Sequence, residues 1–156
     1  MIKYLIVFFL SMIPILELRF AVPFAVGMDL PYIPALITCV IGNMVPVPFI
    51  YLFARKFLIW GSNKKYIHKI CKFFLEKGEK AGKKLVAATG RGGIFVALML
   101  FVGIPLPGTG AWTGTLGASF LDLGPKTTAA AVSLGVIIAG IIMAVASGSV
   151  FHIVGL

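Results

Sequence analysis

The lengths of the apolar runs constrain the fold of this chain more than any other feature. Two runs, residues 31–54 and 127–156, contain 24 and 30 residues and lack Asp, Glu, Lys and Arg. A helix needs about 20 apolar residues to cross the hydrocarbon core, so both runs predict membrane-spanning helices. Runs of 9 to 15 residues are half-length arms, and there are four: residues 4–16, 20–28, 92–106 and 111–121.

Composition excludes a soluble or a disordered chain. Of 156 residues, 60% are apolar and 12% are charged, and the mean hydropathy is +1.05. A domain of this size cannot bury that much apolar surface in its own core, and disordered chains are far more polar. We therefore expect an all-α integral membrane protein with a single membrane domain, residues 1–156.

The basic residues are concentrated in one stretch. Residues 61–91 hold nine of the 14 Lys and Arg residues, in a chain of net charge +9. The positive-inside rule places such a stretch in the cytoplasm, and we prefer this interpretation to nucleic-acid binding. Helical spacing puts Ile70, Cys71, Phe74 and Leu85 on one face and lysines on the other. This pattern predicts a basic amphipathic helix at the membrane surface, next to anionic lipid head groups.

The two halves of the chain are similar at an offset of 93 residues. Each half contains an arm, a break, a second arm, an Asp-Leu pair and a span that begins near a proline. We therefore interpret residues 1–60 and 92–156 as two repeats joined by the linker 61–91. The Asp residues are also candidate helix N-caps. The matching positions are Phe8 and Phe101, Pro14 and Pro107, Asp29 and Asp122, and Gly42 and Gly135.

Charge placement predicts how the repeats cross the membrane. The loop at Asp29 carries no Lys or Arg and is expected outside, whereas the basic stretch is expected inside. Each pair of arms then forms a re-entrant helical hairpin, and the two repeats are inverted. The breaks, residues 17–23 and 105–112, meet near the midplane, as in inverted-repeat transporters. The alternative is four plain spanning helices with both termini inside.

Candidate site residues lie at these breaks. Ionisable residues inside a membrane mark functional sites, so Glu17 is a candidate proton carrier and Arg19 a candidate contact for an anion. Prolines at 14 and 23 are expected to break the helix there. Further candidates for binding substrate or proton are Pro23, Asn43, Arg91, Pro105, Pro107, Gly108, Thr109, Gly110, Trp112 and Thr113.

Other kinds of chemistry have no support in the sequence. The two histidines and two cysteines lack metal-ligand spacing, so we expect no metal and no cofactor. No nucleophile, base and orienting group converge, so we do not expect an enzyme.

Three segments carry a resemblance to a known family. Residues 17–23, 42–48 and 104–114 resemble the small multidrug export proteins, a family related to the DedA/VTT (SNARE-associated Golgi-like) membrane proteins. The resemblance implies two opposed re-entrant hairpins. For the wider superfamily it implies the movement of lipids across the membrane, including the recycling of polyprenyl phosphate carriers. It also implies that this movement is coupled to protons. The chain lacks the paired arginines of the second DedA hairpin and has Arg91 before that hairpin instead.

Three functional hypotheses follow. The first is a proton-coupled transporter of an anionic amphiphile or lipid phosphate through a midplane site. The second is an exporter of lipophilic cations that uses Glu17 for both proton and drug. The third is an uncoupled scramblase or scaffold. We expect a homo-oligomer in a prokaryotic cytoplasmic membrane, with membrane lipids, a small amphiphilic substrate and a proton or cation gradient as partners, and no nucleic acid.

Overall fold

The computed structural model describes residues 1–14, 16–64, 68–106 and 109–154, and the regular elements in these ranges are α-helices. Leu18, Ala21 and Ala25 of the second helix pack with Val132 and Val136 of the last helix in the buried core. The helices are α1 (Ile2–Met12), α2 (Glu17–Gly27), α3 (Tyr32–Met44), α4 (Pro46–Ser62), α5 (His68–Gly103), α6 (Ala111–Phe120) and α7 (Pro125–Val154).

Two helical stretches are long and apolar enough to cross a membrane. Tyr32–Ser62 has a mean hydropathy of 1.9 and Pro125–Gly148 a mean hydropathy of 2.5. The first stretch comprises α3 and α4, which meet at Val45. Large apolar side chains such as Phe49 and Phe53 are exposed by 70% and 72%. An apolar surface of this kind suits lipid, and the prediction of an all-helical protein with two membrane-length helices is confirmed.

Helix α5 contains a kink that separates its basic and apolar parts. Gly90 has φ 67° and ψ 173°, outside the helical region. Residues 68–89, which we call the basic segment, precede the kink, and the apolar part ends at Gly103. The kink therefore falls beside the predicted end of the linker at residue 91. The side chains of Phe74 and Leu85 lie outside the described residues.

The first break lies earlier than predicted. We expected it at residues 17–23, but α2 spans Glu17–Gly27 and contains Pro23. The chain leaves α1 at Ile13, which is extended with φ −71° and ψ 128°. Ile13 precedes Pro14, and a residue before proline is driven out of the helical region. Pro23 is tolerated because α2 is held by its buried face.

The second break overlaps the predicted residues 105–112 but begins one residue earlier and ends two residues earlier. Helix α5 ends at Gly103 and α6 begins at Ala111. The intervening prolines and glycines cannot continue a regular helix. Pro107 and Gly108 lie outside the described residues.

Asp29 and Asp122 adopt the same unusual conformation at equivalent places. Both have φ 56°. The N–H of Leu30 donates to Ala25 O at 3.1 Å, and that of Leu123 donates to Ala118 O at 3.0 Å. This six-residue bond around a left-handed residue ends a helix in the Schellman manner. Asp29 therefore terminates α2; α3 has Pro31 as its N-cap with no side-chain hydrogen bond, so the N-cap interpretation of Asp29 is wrong.

The offset of 93 residues also relates whole helices. Adding 93 to the bounds of α2 (17–27) gives 110–120, and α6 spans Ala111–Phe120. Adding 93 to 32–62 gives 125–155, and α7 spans Pro125–Val154. The packing is reciprocal as well, since α2 packs on α7 and α6 packs on α4.

The two matched glycines occupy equivalent helix crossings. A Cβ added at Gly42 would lie 2.6 Å from Phe8 O, and one added at Gly135 would lie 2.7 Å from Met99 O. Glycine is required at both positions because α3 meets α1, and α7 meets α5, at backbone distance.

Candidate functional site

Glu17 is the first residue of α2 and lies in a strained conformation. Its φ is 47°, a left-handed value that costs a non-glycine residue about 1–2 kcal/mol. The side chain is buried, with 6% of its surface exposed. Oε1 accepts a hydrogen bond from the backbone N–H of Trp112 at 3.2 Å. The strain places a buried carboxylate across the break, and strain of this kind is typical of functional positions.

The carboxylate of Glu17 lies at the N-terminus of α6. The first N–H groups of a helix lack partners within it, and the helix dipole favours a negative charge there. Gly110, which precedes α6, has φ 149° and no room for a side chain. A Cβ at this position would lie 2.8 Å from Cδ of Glu17. Gly110 therefore allows the carboxylate to approach the helix end.

Arg19 binds the opposite kind of helix end. Its Nη1 donates to Leu106 O, and its Nη2 donates to Oγ1 of Thr109 at 2.6 Å. Thr109 in turn donates to Ile104 O, with Oγ1 at 2.9 Å. These carbonyls follow the C-terminus of α5, where a positive charge is favourable. Arg19 therefore satisfies backbone groups that the second break leaves without helical partners.

Trp112 makes the reciprocal contact to the first break. Its indole Nε1–H donates to Met12 O, the end of α1, at 3.2 Å. Trp112 is also the position 93 residues after Arg19. Arg19, in the helix after the first break, therefore donates to the second break. Trp112, in the helix after the second break, donates to the first. We call these contacts of Glu17, Arg19 and Trp112 the break interface.

Glu17 and Arg19 attract each other electrostatically but form no salt bridge among the described residues. Both lie in α2, two residues apart, where side chains point to different sides of the helix. In the described part of the chain the salt bridge formed is Lys72–Glu76, at 3.9 Å, and none includes Glu17. The carboxylate keeps acceptor capacity beyond its interactions with the backbone N–H groups of Trp112 and Ala111, since an ionised carboxylate has about four lone-pair sites.

Of the other predicted site residues, some lie next to the break interface and some lie outside its contacts. Oγ1 of Thr113 donates to Gly110 O at 3.4 Å, and Pro105 is half-buried between Ile104 and Leu106. Pro23 is half-buried within α2. Pro107 and Gly108 lie outside the described residues.

Arg91 and Asn43 lie outside the contacts that define the break interface. Arg91 is exposed next to the kink at Gly90, about 18 Å along the helix from Gly103. Asn43 is buried near the end of α3, and its side-chain oxygen has no hydrogen-bond partner among the described residues. Thr115 Oγ1 in α6 is likewise buried and without a partner there.

Sequence reasoning missed the backbone acceptors of the site. The carbonyls of Met12, Ile104 and Leu106 accept the bonds from Trp112 and Arg19. A signal was present, because Ile104 and Leu106 each precede a proline. Prolines remove N–H groups and end helices, so they leave nearby carbonyls available to other donors.

Sequence reasoning also missed an apolar groove that Trp112 lines in part. It has a volume of about 440 Å³ and lies between α4, the basic segment and α6. The spacing of Phe53 and Phe57, four residues apart, is the signal for this surface, because such residues share one helix face. The lining residues are Ile50, Phe53, Ala54, Phe57, Ile70, Cys71, Trp112, Leu116 and Phe120.

A metal site has no support in the described ranges. They contain no group of three or more His, Cys, Asp or Glu residues that could hold an ion.

Comparison with known families gives a match over most of the chain. Residues 17–142 match the family described as "putative small multi-drug export protein". The chain belongs to this family. The match includes all three residues of the break interface, from Glu17 to Trp112. Searches of curated proteins and of solved structures gave no match.

Membership of the small multi-drug export family fits the two membrane-length helices. Together they identify a membrane protein, and the family description indicates export rather than catalysis. The part of the sequence resemblance that named this family is confirmed.

Proposed function

We propose that the chain is a proton-coupled exporter of lipophilic cations, and that Glu17 is the carboxylate shared by proton and substrate. The observation that carries this proposal is the state of Glu17. It is buried at the break interface, accepts a hydrogen bond from Trp112, and forms no salt bridge within the described residues. A buried carboxylate with spare acceptor capacity attracts a proton or an organic cation.

The coupling step acts at the N-terminus of α6. Protonation removes the negative charge that complements the helix end, and it weakens the charge-assisted bond from Trp112 to Glu17. Because Trp112 also bonds Met12, this change loosens both breaks at once. A bound cation restores the charge balance and displaces the proton.

We infer that the two halves are inverted repeats with opposed re-entrant hairpins. The matching helix bounds and the equal φ values of Asp29 and Asp122 support this inference. Cysteine labelling tests it in a background without Cys39 and Cys71. We expect Asp29→Cys to react from outside and Asp122→Cys from the cytoplasm. Labelling of both from the same side contradicts opposed hairpins.

The location and assembly are proposals as well. We place the chain in a prokaryotic cytoplasmic membrane with the basic segment inside, because of the positive-inside rule. Two membrane-length helices enclose little volume, so we propose at least a homodimer. The relation to the DedA/VTT proteins stays a prediction from the sequence.

Transport of an anionic amphiphile is the second candidate. The exposed lysines of the basic segment and the exposed Arg91 favour it. Arg19, the anion contact in that hypothesis, is already bonded to Leu106 O and Thr109 Oγ1. An anion would have to compete with these bonds, so we place cation export first.

Transport measurements with reconstituted protein separate these functions. Tetraphenylphosphonium movement driven by a pH gradient should occur with the wild type and be abolished by Glu17→Gln. Glu76→Gln is the matched control, because it makes the same change on an exposed glutamate of the basic segment and should transport normally.

Arg19→Lys distinguishes the two charged substrates. It keeps a donor for the carbonyls of the second break, so cation transport should persist. Transport of a fluorescent lipid phosphate that depends on Arg19 would support the anionic candidate instead. Movement that needs neither a gradient nor Glu17 is the result expected of an uncoupled scramblase.

A further inference from the structure

We propose that Thr115 relays the proton between Glu17 and the Asp122 end of α6, with Ser119 as the next hydroxyl on the same route. This inference rests on the proposed function, because it supplies a path for the proton that Glu17 exchanges. It gives a role to a fully buried hydroxyl that takes no part in the break interface.

Thr115 lies on the face of α6 that begins at the carboxylate of Glu17. Ala111 is the first residue of α6, and the backbone N–H groups of Ala111 and Trp112 face this carboxylate. Residues four apart share one helix face, so positions 111, 115 and 119 form a row with steps of about 6 Å along the axis. The three residues are buried, and the last two are Thr115 and Ser119. Two hydroxyls therefore lead away from Glu17 along α6.

The spacing of these hydroxyls suits a bridging water. Oγ of Ser119 donates to Tyr51 O at 3.1 Å, which sets this face of α6 against α4. One turn earlier, Oγ1 of Thr115 is buried and has no hydrogen-bond partner among the described residues. Two O–H···O bonds of about 2.8 Å each span roughly 5.6 Å, and side chains four residues apart in a helix are separated by about 5–6 Å. One water can therefore join the two hydroxyls, and Thr115 has bonding capacity left for it.

The repeat shows that packing does not require a hydroxyl at this place. At the offset of 93 residues, Thr115 corresponds to Val22 of α2 and Ser119 corresponds to Val26. Val22 is buried at 4% exposure, so valine fills the equivalent position in the other repeat. A buried polar group without a partner costs stability. We therefore attribute the Thr115 hydroxyl to proton transfer, and the route to Glu17 runs along α6 and not along α2.

Transfer along this row needs no chemistry other than the exchange of O–H bonds. A water at the Asp122 end gives a proton to Oγ of Ser119, which releases its own hydrogen to the bridging water. Thr115 accepts a proton from that water and releases its hydrogen to a second water, which protonates the carboxylate of Glu17. One O–H bond forms for each that breaks, so the net result is one proton moved from the end of α6 to Glu17. Release follows the same steps in reverse.

Thr115→Val tests this route in reconstituted protein, because it keeps the size of the side chain and removes the hydroxyl. The rate of tetraphenylphosphonium uptake driven by a pH gradient should fall by about tenfold or more, since positioned proton-transfer groups commonly contribute about 100-fold. The affinity for tetraphenylphosphonium and the number of protons released per bound cation, both measured by calorimetry, should stay at the wild-type values because Glu17 is intact. Thr115→Ser restores a hydroxyl and should recover most of the rate.

Thr38→Val is the matched control. It makes the same change at a half-buried threonine of α3, whose Oγ1 donates to Pro34 O at 2.8 Å, and it should transport at the wild-type rate. A wild-type rate for Thr115→Val, with thermal unfolding showing a folded protein, overturns the route and leaves Glu17 as the shared site. Weaker tetraphenylphosphonium binding by Thr115→Val also overturns it, because the hydroxyl then belongs to the substrate site. Cation binding without proton release in the wild type overturns the proposed function and the route together.

Discussion

The backbone N–H of Trp112 donates a hydrogen bond to Oε1 of Glu17 at 3.2 Å, and this bond joins the start of α6 to the start of α2. The same tryptophan bonds Met12 O through its indole nitrogen. One residue therefore connects the candidate proton site to both helix breaks. Substitution or protonation of Glu17 should therefore affect the break interface more than the surrounding helices.

Replacing Glu17 should separate its charge from its hydrogen bond. Glu17→Gln keeps an oxygen acceptor for Trp112, so the free energy of unfolding should fall by only about 1 kcal/mol. Glu17→Leu leaves the N–H of Trp112 without its acceptor and should cost about 1–3 kcal/mol. Thermal unfolding in detergent measures both. Equal losses for the two variants would contradict a bonding role for the carboxylate oxygen.

Gly110 should be intolerant of a side chain. Its φ of 149° is strained for alanine, and the added Cβ would lie 2.8 Å from Cδ of Glu17. We expect Gly110→Ala to cost about 1–3 kcal/mol in unfolding free energy. Gly117 is the control, because a Cβ there meets nothing within 4 Å. Gly117→Ala in the same helix should gain up to about 1 kcal/mol; a loss of stability there equal to that of Gly110→Ala would refute the argument.

Arg19 should stabilise the second break. Arg19→Ala removes the charged donor to Leu106 O and to Oγ1 of Thr109, although Leu106 O keeps the backbone N–H of Thr109. Loss of a charged donor to such groups costs about 1.5–3 kcal/mol. Arg19→Lys restores a positive donor and should recover part of this loss. Thermal unfolding should show Arg19→Lys to be more stable than Arg19→Ala. Equal stability of the two variants would mean that the carbonyls find other partners.

Asp29 offers a stabilising substitution. A left-handed φ of 56° suits glycine better than a residue with a Cβ. Asp29→Gly should therefore raise the unfolding free energy by about 1 kcal/mol. Asp29→Ala removes the same carboxylate and keeps the Cβ, so it should not stabilise. If Asp29→Ala stabilises the protein as much as Asp29→Gly, the gain comes from loss of the carboxylate charge and not from relief of backbone strain.

Thr115 should be replaceable by valine with a gain. Its hydroxyl is buried and has no hydrogen-bond partner among the described residues. Thr115→Val keeps the shape and removes a buried polar group, so we expect stabilisation of about 1 kcal/mol. Ser119 on the same helix donates to Tyr51 O at 3.1 Å, and Ser119→Ala should destabilise. A loss on Thr115→Val would reveal a partner for the hydroxyl.

The sequence predicted the elements whose signals are local. The long apolar runs became α7 and the α3–α4 stretch, and the run of prolines and glycines after Gly103 became the second break. These features depend on the length of apolar runs and on proline geometry, which need no tertiary information.

Features that depend on packing were missed or misplaced. Pro23 looked like a helix breaker, but α2 continues through it because Leu18, Ala21 and Ala25 are buried against neighbouring helices. The carbonyl partners of Arg19 lie 85 and 87 residues away, so no local pattern could identify them. Glu17 and Trp112 were both predicted as site candidates. Their hydrogen bond joins residues 95 apart in sequence, so no local pattern could predict it either.

Calorimetry of tetraphenylphosphonium binding in buffers of different ionisation enthalpy tests whether proton and cation share Glu17, because it counts the protons released when the cation binds. For purified wild type, we expect a release that approaches one proton per cation as the pH is lowered. We expect none for Glu17→Gln and normal release for Glu76→Gln. Proton release from Glu17→Gln equal to that of the wild type would contradict a carboxylate shared by proton and cation.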